Sequence, residues 1–308
     1  MWRGIARGRD GGDRRPDGGR LLRVRACHLR DEEEGAAGVV AILLAILIVL
    51  LLITLVTSVW MPVWMKDREA RHMRTASSDF SNIKATIDNL VIQKDTNFIV
   101  STPLTLGTEG IPVFGSDSSG TFSINYFREK GSVAEFSCNI RNQSGAINVT
   151  ATGGMKYVSR NVEYVNQELA YENGAIMLSQ GTGEIVRTGP QFTVEKVGPV
   201  VKVSFVLITI SGVETSMEGV GTVLIRNQLV TYTSQSFSFG VSQWLNITVL
   251  TEYPTAWFRY FNNALIDAGL NPATDFNEAI VGNYVKVDIE AVKYFDLGYA
   301  LIETDLEV

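Results

Sequence analysis

The spacing of apolar residues divides the chain before any residue is given a chemical role. Val39 to Val59 contains no charged side chain and is broken only by Thr54, Thr57 and Ser58. A helix needs about 20 apolar residues to cross a bilayer core, whereas a cleaved secretory core has only about 7–15. The run therefore predicts one transmembrane helix over residues 39–65, with Trp60 and Trp64 as interfacial anchors. Beyond it, Met73, Ala76, Phe80, Ile83, Ile87 and Leu90 recur at steps of three and four, which predicts a helical stalk over 66–95. Such a stripe serves either self-association or packing on the chain's own β-domain. Its shortness and weak members such as Ala76 favour packing.

From residue 96 to 308 the period changes to two. Alternation is visible in Thr121 to Tyr126 and in Val201 to Ile210, and shorter apolar stretches recur between Gly, Asn, Ser and Pro clusters such as Glu172-Asn173-Gly174. Short strands at this spacing predict an antiparallel β-sandwich head. Gly120 to Ile124 and Gly221 to Ile225 open alike and suggest a repeated sheet. One C-terminal helix is expected to pack on the head: Pro254 suits a helix start, and Trp257, Tyr260, Phe261, Leu265 and Ile266 follow at helical spacing. The fold class is mainly β, with an N-terminal transmembrane helix and stalk.

Composition sharpens this division. The whole chain has 308 residues, a mean hydropathy of +0.10 and a formal net charge of -6. Residues 1–38 hold nine arginines and no lysine, a composition that predicts a disordered basic leader. Residues 66–308 hold 18 basic and 26 acidic side chains, which disfavours nucleic acid as a partner. The lipid bilayer is the partner the apolar run requires. Self-association through the stalk, or contact with other surface proteins, is the further expectation.

The search for chemistry returns mostly absences. No zinc-protease, paired-cysteine, phosphate-loop or serine-elbow motif is present. No catalytic residue, metal site or cofactor is predicted. Cys27 and Cys138 lie on opposite sides of the expected span, and Cys138 reads as a small buried hydrophobe. His72, beside Arg71 and Arg74, reads as an exposed polar residue. Gly115 to Gly120 lacks the carboxylates of a calcium loop and reads as a turn before a strand. Glu163, Glu168, Glu172, Asp288 and Glu290 are available as paired carboxylates, but no spacing selects a pair.

Orientation rests on weaker signals. Arginines flank both ends of the apolar run, so the positive-inside count is a tie. Three acceptor sequons, at Asn142, Asn148 and Asn246, are candidate N-glycosylation sites and argue for an extracellular C-terminal part.

A leader, an apolar helix continuing into an amphipathic stalk, and a β-rich head together resemble type IV pilin-like proteins. More specifically, three stretches resemble archaeal membrane-anchored pilin-like surface proteins. These are Gly38 to Met65 with the stalk, Tyr171-Glu172-Asn173-Gly174-Ala175 with Gly189-Pro190-Gln191-Phe192, and Pro254 to Phe261. Thr102 to Gly107 and Gly110-Ile111-Pro112 are similar in character. The resemblance implies a cell-surface protein anchored by its N-terminal helix, with candidate leader cleavage at Gly35 or Gly38. Pilins carry a glutamate a few positions into the mature apolar helix, and here no acidic residue lies within Val39 to Val59. That departure favours a static anchor over an assembling subunit. The expected function is a non-enzymatic surface protein with a structural, adhesion or assembly role, the alternative being a membrane-tethered binding module or accessory subunit.

Overall fold

The computed structural model describes residues 18–111, 115–125, 134–142, 145–272 and 274–307. The chain falls into two compact units, Met1–Trp60 and Met61–Val308. The first contains helix α1 (Gly18–Leu55), which ends in one wide π-turn at Val56–Trp60. Its large apolar side chains from Val39 to Leu55 are exposed within the chain. Thr54, Thr57 and Ser58 donate their hydroxyls to the carbonyls of Leu50, Ile53 and Thr54 at 2.8, 2.9 and 2.6 Å. The helix thus satisfies its own polar groups, as lipid demands. Among the described residues, one helix is long and apolar enough to cross a membrane, the arrangement of a single-pass membrane protein.

Two boundaries differ from expectation. The backbone is already helical at Gly18, inside the leader expected to be disordered to Gly38, because extending an existing helix carries no nucleation cost. Residues 1–17 of that leader lie outside the described residues. At the other end, the second unit begins at Met61, inside the expected span of 39–65. Met61 and Met65 are buried, with Gly115 packed against their side chains, so these methionines serve the head.

The second unit is built on helix α2 (Met61–Gln93) and fourteen strands among the described residues. The strands are β1 (Ile99–Thr105), β2 (Ser119–Ile124), β3 (Glu135–Asn142), β4 (Gly145–Thr152), β5 (Gly154–Arg160), β6 (Gln167–Glu172) and β7 (Ala175–Gln180). They continue with β8 (Gly183–Thr188), β9 (Phe192–Val197), β10 (Val200–Ser211), β11 (Thr215–Gly219) and β12 (Thr222–Leu250). Helix α3 (Pro254–Asp267), β13 (Phe276–Val281) and β14 (Tyr284–Glu307) complete the order. The larger sheet runs β4-β3-β12-β14-β10-β9, with β1 on β12 and β13 on β14; the smaller runs β11-β2-β5-β6-β7-β8.

Between the named strands the pairing is antiparallel with one exception, which qualifies the expectation of an antiparallel head. β10 and β14 are parallel over Val201–Ser211, because β14 returns last and inserts between β10 and β12. The repeated opening does not mark a repeated sheet, since Gly120 lies in the smaller sheet and Thr222 in the larger. β12 and β14 are each far longer than any strand the alternation suggested. Register shifts, including one after Leu229 in β12 and one near Val292 in β14, break their period without breaking their pairing.

Two apolar cores share this framework. One gathers α3 through Ala256, Trp257, Phe261 and Leu265 with the Val201, Val203, Phe205 face of β10. The other gathers α2 through Met73, Ala76, Phe80, Ile83, Ile87 and Leu90 with Ile208 and Ile210 of β10. β6 and β7 serve both: Ala170, Ala175 and Met177 belong to the first core, and Leu169, Tyr171 and Ile176 to the second. The alternation of a strand allows this, since successive side chains point to opposite faces. The stalk stripe is therefore covered by the chain's own sheets. Phe80 meets Phe122 edge-on at 6.2 Å and Tyr157 at 6.4 Å. We expect Phe80→Ala to lower the unfolding free energy of the detergent-solubilised chain by about 3–5 kcal/mol. Ile92→Ala, at a side chain 67% exposed on the same helix, should change it by less than about 0.5 kcal/mol in the same denaturant titration.

Candidate functional site

The hairpin between β6 and β7 turns on two residues, Asn173 and Gly174, with φ of 46° and 82°. An Asn-Gly pair suits this turn because both positions need positive φ. The tip is pinned to β10, where Ile208 N donates to Asn173 Oδ1 at 2.7 Å. Placing the turn there drives the neighbouring Glu172 completely out of solvent. Thr251 Oγ1 and Trp257 Nε1 both donate to Glu172 Oε2, at 2.7 and 2.9 Å, while Oε1 has no hydrogen-bond partner. Burial pushes this carboxyl up to about 7, against the two donors.

Around it lies a partly buried polar group. Lys156 Nζ reaches Glu252 Oε2 at 2.6 Å and Glu168 Oε2 at 3.5 Å. Burial opposes the charge on Lys156, but these two carboxylates hold its pKa above the ordinary value. Tyr253 donates its hydroxyl to Glu168 at 3.3 Å, and burial followed by the nearby carboxylates raises its pKa strongly. The arrangement fastens the β6–β7 hairpin to the start of α3. It joins two of the stretches singled out in sequence, Tyr171 to Ala175 and Pro254 to Phe261. Gly189 belongs to the same junction, since a Cβ there would lie 2.7 Å from the Tyr260 ring.

A second buried carboxylate fastens α2. Glu69 is fully buried and accepts hydrogen bonds from the backbone N–H groups of Val162 and Glu163 at 2.7 and 2.9 Å, from that of Tyr164, and from the Ser118 hydroxyl. Four donors converging on one carboxylate offset its desolvation. The Gly115–Gly120 segment thus supplies a hydroxyl to this cluster as well as preceding a strand. His72 corrects the expectation of an exposed residue: it is buried, with Nε2 2.9 Å from the Tyr157 hydroxyl, which donates to Leu106 O at 2.7 Å. Burial lowers its pKa below the ordinary imidazole value, against the Leu106 carbonyl and the charges of Asp79 and Glu69. The signal was available, because Glu69 and His72 stand four residues before Met73 and Ala76 on the same helical stripe.

Among the five available carboxylates, Glu168 and Glu172 share one face of β6, with Cα atoms about 13 Å apart by strand spacing, and both act on Tyr253. Asp288 lies on β14, Glu163 lends its backbone to Glu69, and Glu290 N donates to the Asp275 carbonyl. Cys138 is buried in β3, where desolvation raises its thiol pKa. Gly35 and Gly38 both lie inside α1, and Trp60 and Trp64 are each about half exposed.

The sequons occupy the larger sheet. Asn142 ends β3; its side chain and the two following sequon residues, Gln143 and Ser144, lie outside the described residues. Asn148 is exposed on edge strand β4 and accepts from Ser137 Oγ at 3.0 Å. Asn246 is half-buried on β12, donating to Asp288 Oδ1 at 2.7 Å and accepting from Thr248 Oγ1 at 3.0 Å. The register aligns these residues in one cross-strand row, Asn148–Asn139–Asn246–Asp288–Asn277. No sequence period signals the row, because its members come from five different strands.

Two outcomes follow from the buried carboxylates. For Glu172, the folded pKa of about 7 exceeds the ordinary 4.5, so the folded state holds this proton more tightly. Its contribution is fully present below pH 4.5 and is lost as pH rises to about 7, a change of up to about 3 kcal/mol. Stability measured by denaturant unfolding should fall across that window in the native chain, and Glu172→Gln should remove most of the fall. Glu69→Ala should cost about 3 kcal/mol or more by stranding three backbone N–H groups, with Glu69→Gln costing clearly less. Equal losses in the two Glu69 variants would show that hydrogen-bond acceptance is not what the carboxylate supplies.

No curated protein and no solved structure matches the chain. A sequence family described as a family of unknown function, DUF7289, matches residues 137–290, from β3 to the first part of β14. That match spans half of the chain and takes in both β12 and the Glu172 junction with α3. The chain belongs to this family of unknown function, DUF7289.

Proposed function

We propose that the chain is a membrane-anchored, pilin-like surface protein of archaeal type, non-enzymatic, with a structural, adhesion or assembly role. In this reading the two sheets and α3 form a β-sandwich head held outside the cell. The observation that carries it is the use of α2. The residue after the exposed apolar unit opens a helix whose stripe, from Met73 to Leu90, is part of the head's own core. A head built on the helix that follows its anchor suits permanent display at a membrane. An amphipathic continuation of the N-terminal helix serving a β-rich head is also what the pilin-like resemblance implies. Glu172, the carboxyl with the raised pKa, is sealed from solvent and suits a fastening role better than turnover.

A second reading, a membrane-tethered binding module, is favoured by one observation. The outer face around Trp244, whose side chain is 58% exposed, is left open by the described residues beside the Asn246 row.

Protease treatment of intact cells separates these claims from their opposites. We expect the head to be digested without lysis and the remainder to stay with the detergent-soluble membrane fraction. Protection of the head until lysis would contradict display, and recovery of the chain in sheared filaments would replace the static anchor with an assembling subunit.

A further inference from the structure

We propose that the outer face of the larger sheet beside Trp244 binds a neutral carbohydrate. A hollow of about 430 Å³ there is lined by Asn139, Gln243, Trp244 and Asn246. That is the size of an ordinary small-ligand site. The register breaks on both sides of Gln243, between Ser238 and Gln243 and again between Gln243 and Leu245. Irregularities of this kind re-aim side chains out of the regular pleat. Here they set Gln243 and Trp244 beside the Asn139–Asn246 pair, with Gln243 Nε2 held by the Val241 carbonyl at 2.9 Å.

The chemistry of the lining selects the ligand class. An exposed indole offers a flat apolar surface, the complement of the C–H face of a sugar ring. Each Asn or Gln carboxamide both donates and accepts, as each sugar hydroxyl does. The row continues beyond the hollow to Asn148 on one side and to Asp288 and Asn277 on the other. At the usual strand spacing, five strands span about 19 Å, room for several sugar units. Charge points the same way. Among the described residues, the four that line the hollow carry none, although residues 66–308 together have a net charge of -8. Asp288 is already engaged by the Asn246 amide. A neutral, hydroxyl-rich ligand fits such a face better than an acidic polymer or a cation.

This inference goes beyond anchorage and display, and it holds on whichever side of the membrane the head lies. The test uses the full chain in a detergent without a sugar headgroup. Maltotetraose, cellotetraose, mannotetraose and chitotetraose serve as neutral probes, with an anionic sialyl oligosaccharide as control. Calorimetric titration should give saturable binding to at least one neutral probe, with a Kd of about 1 mM or tighter. Trp244→Ala should weaken that binding at least tenfold while leaving thermal unfolding unchanged, and Asn139→Ala should weaken it by a smaller factor. Failure of all four neutral probes would overturn the proposal. So would binding unaffected by Trp244→Ala, or tighter binding of the anionic control.

Discussion

The burial of the α2 stripe is the constraint on which the rest of the head depends. Phe80, Ile83 and Ile87 are fully buried among residues from both sheets. A helix with such a stripe is not stable alone in water, because packing rather than propensity supplies most of its stability. The sheets need the helix equally, since Phe122, Tyr157 and Tyr171 would otherwise lose the apolar surface that covers them. Helix and sheets are therefore one folding problem. The polar contacts follow from it: Glu69, His72 and Asp79 lie along the same helix and meet partners on loops and strands only because the stripe has brought them there.

The two cores are joined by strands that serve both at once. β10 turns Val203, Phe205 and Leu207 to one core and Val206, Ile208 and Ile210 to the other, and β6 and β7 are buried on both faces near their shared turn. This arrangement explains why a charged residue sits at the most enclosed position of the hairpin. Glu172 occupies the junction where neither core provides water, and its two donors come from the segment that begins α3. A carboxyl there is protonated more readily than usual, which couples the junction to pH without any exposed titrating group.

The sequence made some of this legible and hid the remainder for definable reasons. The apolar run and the α2 stripe were plain because each follows a period set by one helix. The lengths of β12 and β14 were not, because Gly240, Gly298 and the positive φ of Ala291 at 59° interrupt an alternation that the sheet nevertheless accommodates. The parallel pairing of β10 with β14 joins segments some ninety residues apart, a relation local patterning does not encode. Glu69 and His72 were readable from helical spacing, but their polarity argued for exposure. The Asn row and the Glu172 junction exist only once register and turns are fixed.

Dependence of the head on α2 is the claim most directly open to measurement. Two fragments, one starting at Met61 and one starting at Asp95, differ by the whole of that helix. Hydrogen exchange and denaturant unfolding of both should show cooperative unfolding and protected β12 and β14 amides for the longer fragment, and neither for the shorter. A shorter fragment that unfolds cooperatively, with the same protected strands, would contradict the account.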